Sequence, residues 1–203
     1  PDAVLPPTLR GLYVIVDPAL AGGRDLAWLT AEAIAGGATM IQWRDKNREK
    51  GLQLPELEAV RDACRHGNVP LIINDHADLA LVVGADGVHL GQKDLPLAAV
   101  RPLLPPGWIV GASTNNTTEA RAAEAGGASY IAVGNIFWSA SKADTRPATL
   151  DVLRDVKAAV SVPVCGIGGI DASNIGSVID AGADIAAVIS AVVSAGEPRS
   201  AAV

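Results

Sequence analysis

Acids, cations and an amide recur along this chain at the ends of short apolar runs. Gln42-Trp43-Arg44-Asp45-Lys46 follows the run Met40–Ile41. In extended backbone alternate residues share a face, so Gln42, Arg44 and Lys46 are expected to point into one cavity. A carboxamide beside a guanidinium and an ammonium suits a polar ring attached to a multiply charged anion. The competing reading is a solvated strand end whose cations pair with Asp45. Asn74-Asp75 ends the next run, and Asp94 follows His89 and Gly91-Gln92-Lys93. Two hard carboxylates with few other protein ligands suit Mg2+, which keeps several waters and is shared with substrate phosphates. Alone, Asp75 is a candidate helix cap. Together with Arg44, Lys46 and Lys142, the two acids read as a metal-pyrophosphate site.

Other groups support an anion-handling mouth. His89 has the chemistry of a general base, although a strand-end histidine is more often a hydrogen-bonded spacer. Ser113, Ser139 and Ser141 supply hydroxyls at later strand ends, where serine commonly also forms turns. Ser139-Ala140-Ser141-Lys142 lies in the longest stretch between expected elements, Asn135 to Ala148, which also carries Arg146. Long loops over an enzyme mouth are often lids. Gly166-Ile167-Gly168-Gly169-Ile170 lets backbone N–H groups approach a phosphate, the alternative being a tight turn alone. Ser190 would complete that cup.

The elements that must position these groups follow from the runs themselves. Leu12–Val16 ends at Asp17, Leu71–Ile73 at Asn74, Gly87–Val88 at His89 and Tyr130–Val133 at Gly134. Ile109–Val110 precedes Ser113, Val162–Ile167 ends at Gly168, and Ala187–Ile189 at Ser190. Helical periodicity fills the gaps: Leu26–Ala35 behind a possible Asp25 cap, Leu54–Cys64 with Pro55 in its first turn, Thr118–Ala125, Leu150–Val160 and Asn174–Ala181, the last with Ser173 or Asp171 to cap it. Asp75–Val83 and Pro96–Leu104 are shorter segments. Glycines in Gly36-Gly37, Gly84, Gly126-Gly127 and Gly182 each precede an apolar run, as a left-handed helix end feeding a strand requires. About eight such units imply a parallel α/β sheet closed into a single (β/α)8 TIM barrel, with chemistry at the carboxyl ends of its strands. An open doubly wound sheet is the structural alternative, but Asp17-Pro18-Ala19 stands where its glycine fingerprint belongs.

The chain of 203 residues is near the lower size limit of such a barrel and shows no compositional break, so one catalytic domain is expected over 11–195. Residues 1–10 are Pro-rich and read as an arm, and 196–203 as a tail. About half the residues are hydrophobic and only 3% aromatic, so aliphatic side chains must fill the core. A net charge of −6 argues against a nucleic-acid partner. No stretch approaches the roughly 18 apolar residues of a membrane span. Cys64 and Cys165 match no metal spacing, and a reduced, cytoplasmic setting is expected. A homo-oligomer is only the base-rate expectation.

The chain resembles the thiamine-phosphate synthase family. The resemblance is carried by Asn74-Asp75-His76-Ala77-Asp78-Leu79-Ala80 and by Gly84 through Pro96, including His89, Gln92 and Asp94. Gln42-x-Arg44-x-Lys46, Lys142, Gly168-Gly169-Ile170 and Ile189-Ser190-Ala191 fall in the family's order. It implies a transferase that joins hydroxymethylpyrimidine pyrophosphate to hydroxyethylthiazole phosphate by dissociative loss of Mg-bound pyrophosphate. The thiazole nitrogen then captures the pyrimidinylmethyl cation. The resemblance implies that Gln42 holds the pyrimidine, that Arg44, Lys46, Asn74, Ser113 and Lys142 face the pyrophosphate with Ser139 and Ser141, and that Asp75 and Asp94 hold Mg2+. Gly169, Ile189 and Ser190 would bind the thiazole phosphate. Asn135 and Trp138 depart from family prolines, and Asn115 stands where a histidine is common. Trp43 should face away from the pocket and pack under a helix. The rivals are a thiazole tautomerase on the same scaffold and a non-catalytic barrel that binds a phosphorylated metabolite.

Overall fold

Left-handed glycines end the helices and turn the chain back into the next strand, as at Gly37 (φ 117°) and Gly84 (φ 67°). In the computed structural model, which describes residues 9–137 and 148–203, this cycle runs around a closed barrel. The strands are β1 (Gly11–Val16), β2 (Ala38–Trp43), β3 (Leu71–Asn74), β4 (Gly87–Leu90), β5 (Ile109–Thr114), β6 (Tyr130–Val133), β7 (Val164–Ile167) and β8 (Ile185–Val188). They neighbour one another in chain order, and β8 pairs in parallel with β1 to close the ring. The open-sheet alternative is thereby excluded.

The helices are α1 (Leu26–Gly36), α2 (Lys50–Gly67), α3 (Ala77–Val83), α4 (Leu97–Val100), α5 (Thr117–Ala125), α6 (Leu150–Ala159), α7 (Ile175–Asp180), α8 (Ser190–Val193) and α9 (Pro198–Ala201). Asp25 caps α1 through a 2.8 Å bond from the Trp28 N–H, as its position suggested. Several boundaries differ from the sequence reading by one to a few residues, and the starts of α2 and α7 differ in their chemistry too. α2 starts at Lys50, so Pro55 lies inside the helix and not in its first turn. Its missing N–H leaves only the Gly51 carbonyl, close to the exposed start of the helix, without its helical donor. α7 has Asn174 as its cap residue, and neither Ser173 nor Asp171 caps it by a side chain. The Asp171 carboxylate instead accepts from the Ser173 N–H at 2.8 Å, tightening the preceding turn.

Side chains sort into two buried layers. Tyr13, Ile15, Met40, Ile72, Tyr130, Cys165 and Ile185 fill the barrel interior, while alternate strand residues such as Val14, Ile41, Trp43, Ile73 and Ile131 pack under the helices. Trp43 is 1% exposed and its Nε1 donates to Gln53 Oε1 on α2 at 2.8 Å, so it faces away from the mouth as expected. α9 packs on α1 tightly enough that a Cβ on Gly36 would sit 2.3 Å from the Arg199 carbonyl. Both cysteines are buried and free. Among the described residues no helix is long and apolar enough to cross a membrane.

Candidate active site

Asp75 and Asp94 come together at the carboxyl-end rim. Asp75 follows β3 directly, and its N–H is held by the His89 carbonyl of β4 at 2.8 Å. Its φ of 62° is a left-handed value that few non-glycine residues adopt. The residue does not cap α3, whose N-cap position is His76 without a side-chain bond. Asp94 folds back so that its carboxylate accepts the Gly91 N–H at 2.7 Å. The two carboxyl groups are hydrogen-bonded to each other, and Lys46 Nζ lies 3.1 Å from Asp75. Burial pushes the Asp94 carboxyl up, and the hydrogen bond with Asp75 pushes it the same way. For Asp75 burial acts upward too, but the Asp94 hydrogen bond and the Lys46 charge outweigh it and hold the group low. The pair is therefore split, with Asp75 favouring its charged form more than Asp94 does.

The cations beside this pair are positioned by β2. Gln42, at 3% exposure, donates through Nε2 to the Tyr13 hydroxyl at 2.7 Å. Arg44 leaves the strand with its N–H on the Val16 carbonyl and its guanidinium paired with the buried carboxylate of Asp17. Lys46 reaches Asp75. The reading in which these cations pair with Asp45 is not what the structure has. Asp45 binds Arg48 instead, together with the N–H groups of Asn47 and Arg48. Burial alone would raise the Asp45 carboxyl, but these bonds hold it below the usual range.

Further round the rim, Asn74 ends β3 in register with His89. His89 Nε2 meets Ser113 Oγ on β5 at 2.9 Å, so this histidine is hydrogen-bonded into the wall. Asn115 donates to the Gly134 carbonyl and takes the Glu119 carboxylate on its own N–H at 2.8 Å. The loop after β6 runs beside β7, with Ile136 N–H on the Ile167 carbonyl and Phe137 N–H on the Gly168 carbonyl, each at 3.0 Å. Ser139, Ser141, Lys142 and Arg146 lie outside the described residues.

The glycine turn after β7 carries left-handed backbone at Gly168 (φ 108°) and Gly169 (φ 60°). Asn174 Nδ2 holds the Gly169 carbonyl at 2.8 Å. Ile189 and Ser190 follow β8 and begin α8. Three residues in this architecture carry no role in the sequence reading: Asp17, Tyr13 and Tyr130. Asp17 was visible as the polar end of the first run, and the tyrosines were visible as the chain's only two.

A family model described as thiamine monophosphate synthase matches residues 12–192. The chain belongs to the thiamine-phosphate synthase family. It is 48% identical over 183 residues to the thiamine-phosphate synthase of Coprothermobacter proteolyticus, covering 90% of this chain and 87% of that one. It is 47% identical over 193 residues to that of Moorella thermoacetica, covering 94% and 91%. A solved thiamine phosphate pyrophosphorylase from Pyrococcus furiosus superposes with a TM-score of 0.86 at 37% identity, covering 95% of this chain and 91% of that one. A 3-hexulose-6-phosphate synthase, 19% identical with a TM-score of 0.68, shares the fold alone. The chain is thus a transferase of thiamine biosynthesis on a TIM-barrel fold.

Proposed function

We propose that the rim couples hydroxymethylpyrimidine pyrophosphate to hydroxyethylthiazole phosphate, giving thiamine phosphate and pyrophosphate. The meeting of Asp75, Asp94 and Lys46 beside Gln42 and Arg44 is the observation that supports this most. Gln42 holds the pyrimidine. Arg44, Lys46, Asn74 and Ser113 grip the pyrophosphate, joined by Ser139, Ser141 and Lys142 from the segment after Phe137. Gly169, Ile189 and Ser190 take the thiazole phosphate. The acidic net charge supports small-molecule partners over nucleic acid, and the reading places the enzyme in the cytoplasm.

No nucleophilic side chain is needed. The bond from the methylene carbon to pyrophosphate breaks with its electron pair on the leaving group, and the ring stabilises the resulting cation. The thiazole nitrogen lone pair then forms the new carbon–nitrogen bond. Arg44, Lys46 and Lys142 offset charge that grows on the departing oxygen, and the wall aligns the two rings. The donor set fits Mg2+: two hard carboxylates act on each other at the rim, one held low beside Lys46 and the other pushed up by burial and by its neighbour. Among the described residues there is no group of three or more His, Cys, Asp or Glu ligands, which suits an ion that keeps waters and borrows phosphate oxygens. Asp75 and Asp94 would hold Mg2+, which would supply charge neutralisation to the pyrophosphate.

Incubation with both substrates and Mg2+ should release one pyrophosphate per thiamine phosphate formed. Isomerisation of a thiazole phosphate without pyrophosphate release would replace this reading with the tautomerase. Binding without any turnover would leave a non-catalytic barrel.

A further inference from the structure

Five side chains form a continuous hydrogen-bonded line across the inside of the barrel. Gln42 Nε2 donates to Tyr13 OH at 2.7 Å, and Tyr13 OH lies 2.9 Å from Tyr130 OH. Tyr130 OH lies 2.9 Å from His89 Nδ1, and His89 Nε2 lies 2.9 Å from Ser113 Oγ. The line thus crosses β2, β1, β6, β4 and β5 in turn. Tyr13 and Tyr130 are 1% and 0% exposed, so bulk water does not substitute for a missing partner there. Burial drives both phenols well above their ordinary range, and each remains a neutral hydroxyl with one hydrogen to give.

Such a line has a direction. An amide nitrogen only donates, so Tyr13 accepts from Gln42 and sends its own hydrogen to Tyr130. Tyr130 then has its own hydrogen for His89 Nδ1, which accepts it in the imidazole tautomer that carries its proton on Nε2. In that tautomer Nε2 donates to Ser113 Oγ. Ser113 is left with its own hydrogen free to donate outside the line. With a neutral imidazole, turning one link round leaves a hydroxyl hydrogen without its acceptor in the line unless the next link turns with it.

The backbone is built around the join. A Cβ on Gly111 would fall 2.2 Å from Tyr130 Cζ and 2.4 Å from both the Tyr130 hydroxyl and His89 Nδ1. A mid-strand glycine ordinarily weakens a strand and marks a place where another group approaches closely. Here the close group is the hydrogen bond between Tyr130 and His89.

We infer that Tyr13, Tyr130 and His89 are positioning residues that fix which edge of the Gln42 carboxamide presents its C=O and which its N–H, and so select an aminopyrimidine over an oxopyrimidine. The inference rests on the reading that Gln42 holds the pyrimidine. An aminopyrimidine edge shows a ring-nitrogen acceptor beside an amino donor; an oxo analogue reverses that order. A carboxamide anchored by Tyr13 matches one and leaves unpaired groups against the other, and unpaired buried polar groups discriminate strongly.

The test uses the full chain with Tyr13→Phe, Tyr130→Phe and Gln42→Ala. Each is assayed for kcat and for the KM of both substrates, with the amino pyrimidine and its oxo analogue compared. Phenylalanine keeps the ring and removes only the hydroxyl, and two separate cuts through the line guard against one variant misfolding. Tyr13→Phe should lower the preference for the amino compound about tenfold or more and raise its KM, with the KM for thiazole phosphate unchanged. Tyr130→Phe should act in the same direction. If both keep wild-type preference while Gln42→Ala loses it, the directional line is wrong and the Gln42 reading stands. If Gln42→Ala also leaves the pyrimidine KM unchanged, both are overturned.

Discussion

The carboxyl groups of Asp75 and Asp94 are hydrogen-bonded to each other although they follow different strands, β3 and β4. Two carboxylates in such contact do not both ionise readily, and here burial and the neighbouring Asp75 push the Asp94 carboxyl up. A divalent cation held by both acids, as proposed above, would offset that repulsion.

Mg2+ affinity should therefore rise with pH until Asp94 has ionised, and fall as pH drops through its raised pKa. Calorimetry of Mg2+ and pyrophosphate binding in buffers of differing ionisation heat should detect release of a proton on the acid side. Asp94→Asn should abolish both the proton release and most of the Mg2+-dependent turnover. Unchanged binding in Asp94→Asn would remove this acid from the metal site.

Asp17 holds Arg44 from the end of the neighbouring strand. Asp17→Asn should keep the fold while loosening the guanidinium. A charge-assisted bond contributes roughly 1.5–3 kcal/mol, so kcat/KM for the pyrophosphate substrate should drop about ten- to a hundredfold. Steady-state kinetics would check this, and the KM for thiazole phosphate should stay put.

Trp43 and Gln53 join β2 to α2 by a buried bond, and the Arg48 guanidinium carbon lies 5.9 Å from the centroid of the indole ring. Trp43→Phe should cost about 1–3 kcal/mol in urea unfolding, because it strands the Gln53 carbonyl oxygen. Its effect on KM should be small, since the indole lies on the helix side of the sheet.

The Asp45 carboxyl is held low by Arg48 and two backbone N–H groups against the upward push of burial. Such a group stabilises the fold above its unfolded pKa of about 3.9, and that contribution is lost as pH falls through the lower folded value. Urea midpoints should decline from about pH 5 downward. Asp45→Asn should be less stable at neutral pH and show a shallower acid limb.

Much of this architecture was legible along the chain. Strand ends, glycine helix stops and the outward turn of Trp43 follow from local spacing alone, and local spacing is what periodicity records. Asp75 and Asp94 were readable as a pair because consecutive parallel strands deliver their carboxyl ends to one rim. Asp17 was read only as the end of a run, because its partner Arg44 becomes its neighbour through sheet pairing and not through sequence distance. The tyrosines were hidden for a different reason. An aromatic in an apolar run looks like core, and only coordinates show that its hydroxyl meets another across the barrel. Pro55 misled the start of α2 because the rule placing proline in a first turn describes preference, whereas exposed helix near its end tolerates the lost bond.

The pairing of β8 with β1 bears on how the protein is made. Until the ribosome has delivered Ile185–Val188, the first strand keeps an open backbone edge, and the acids of the mouth exist without the turn after β8. Uncapped parallel edges are templates for self-association. Chains cut short before Ile185 should therefore clump during synthesis and stay inert, however intact the half that carries Asp75 and Asp94.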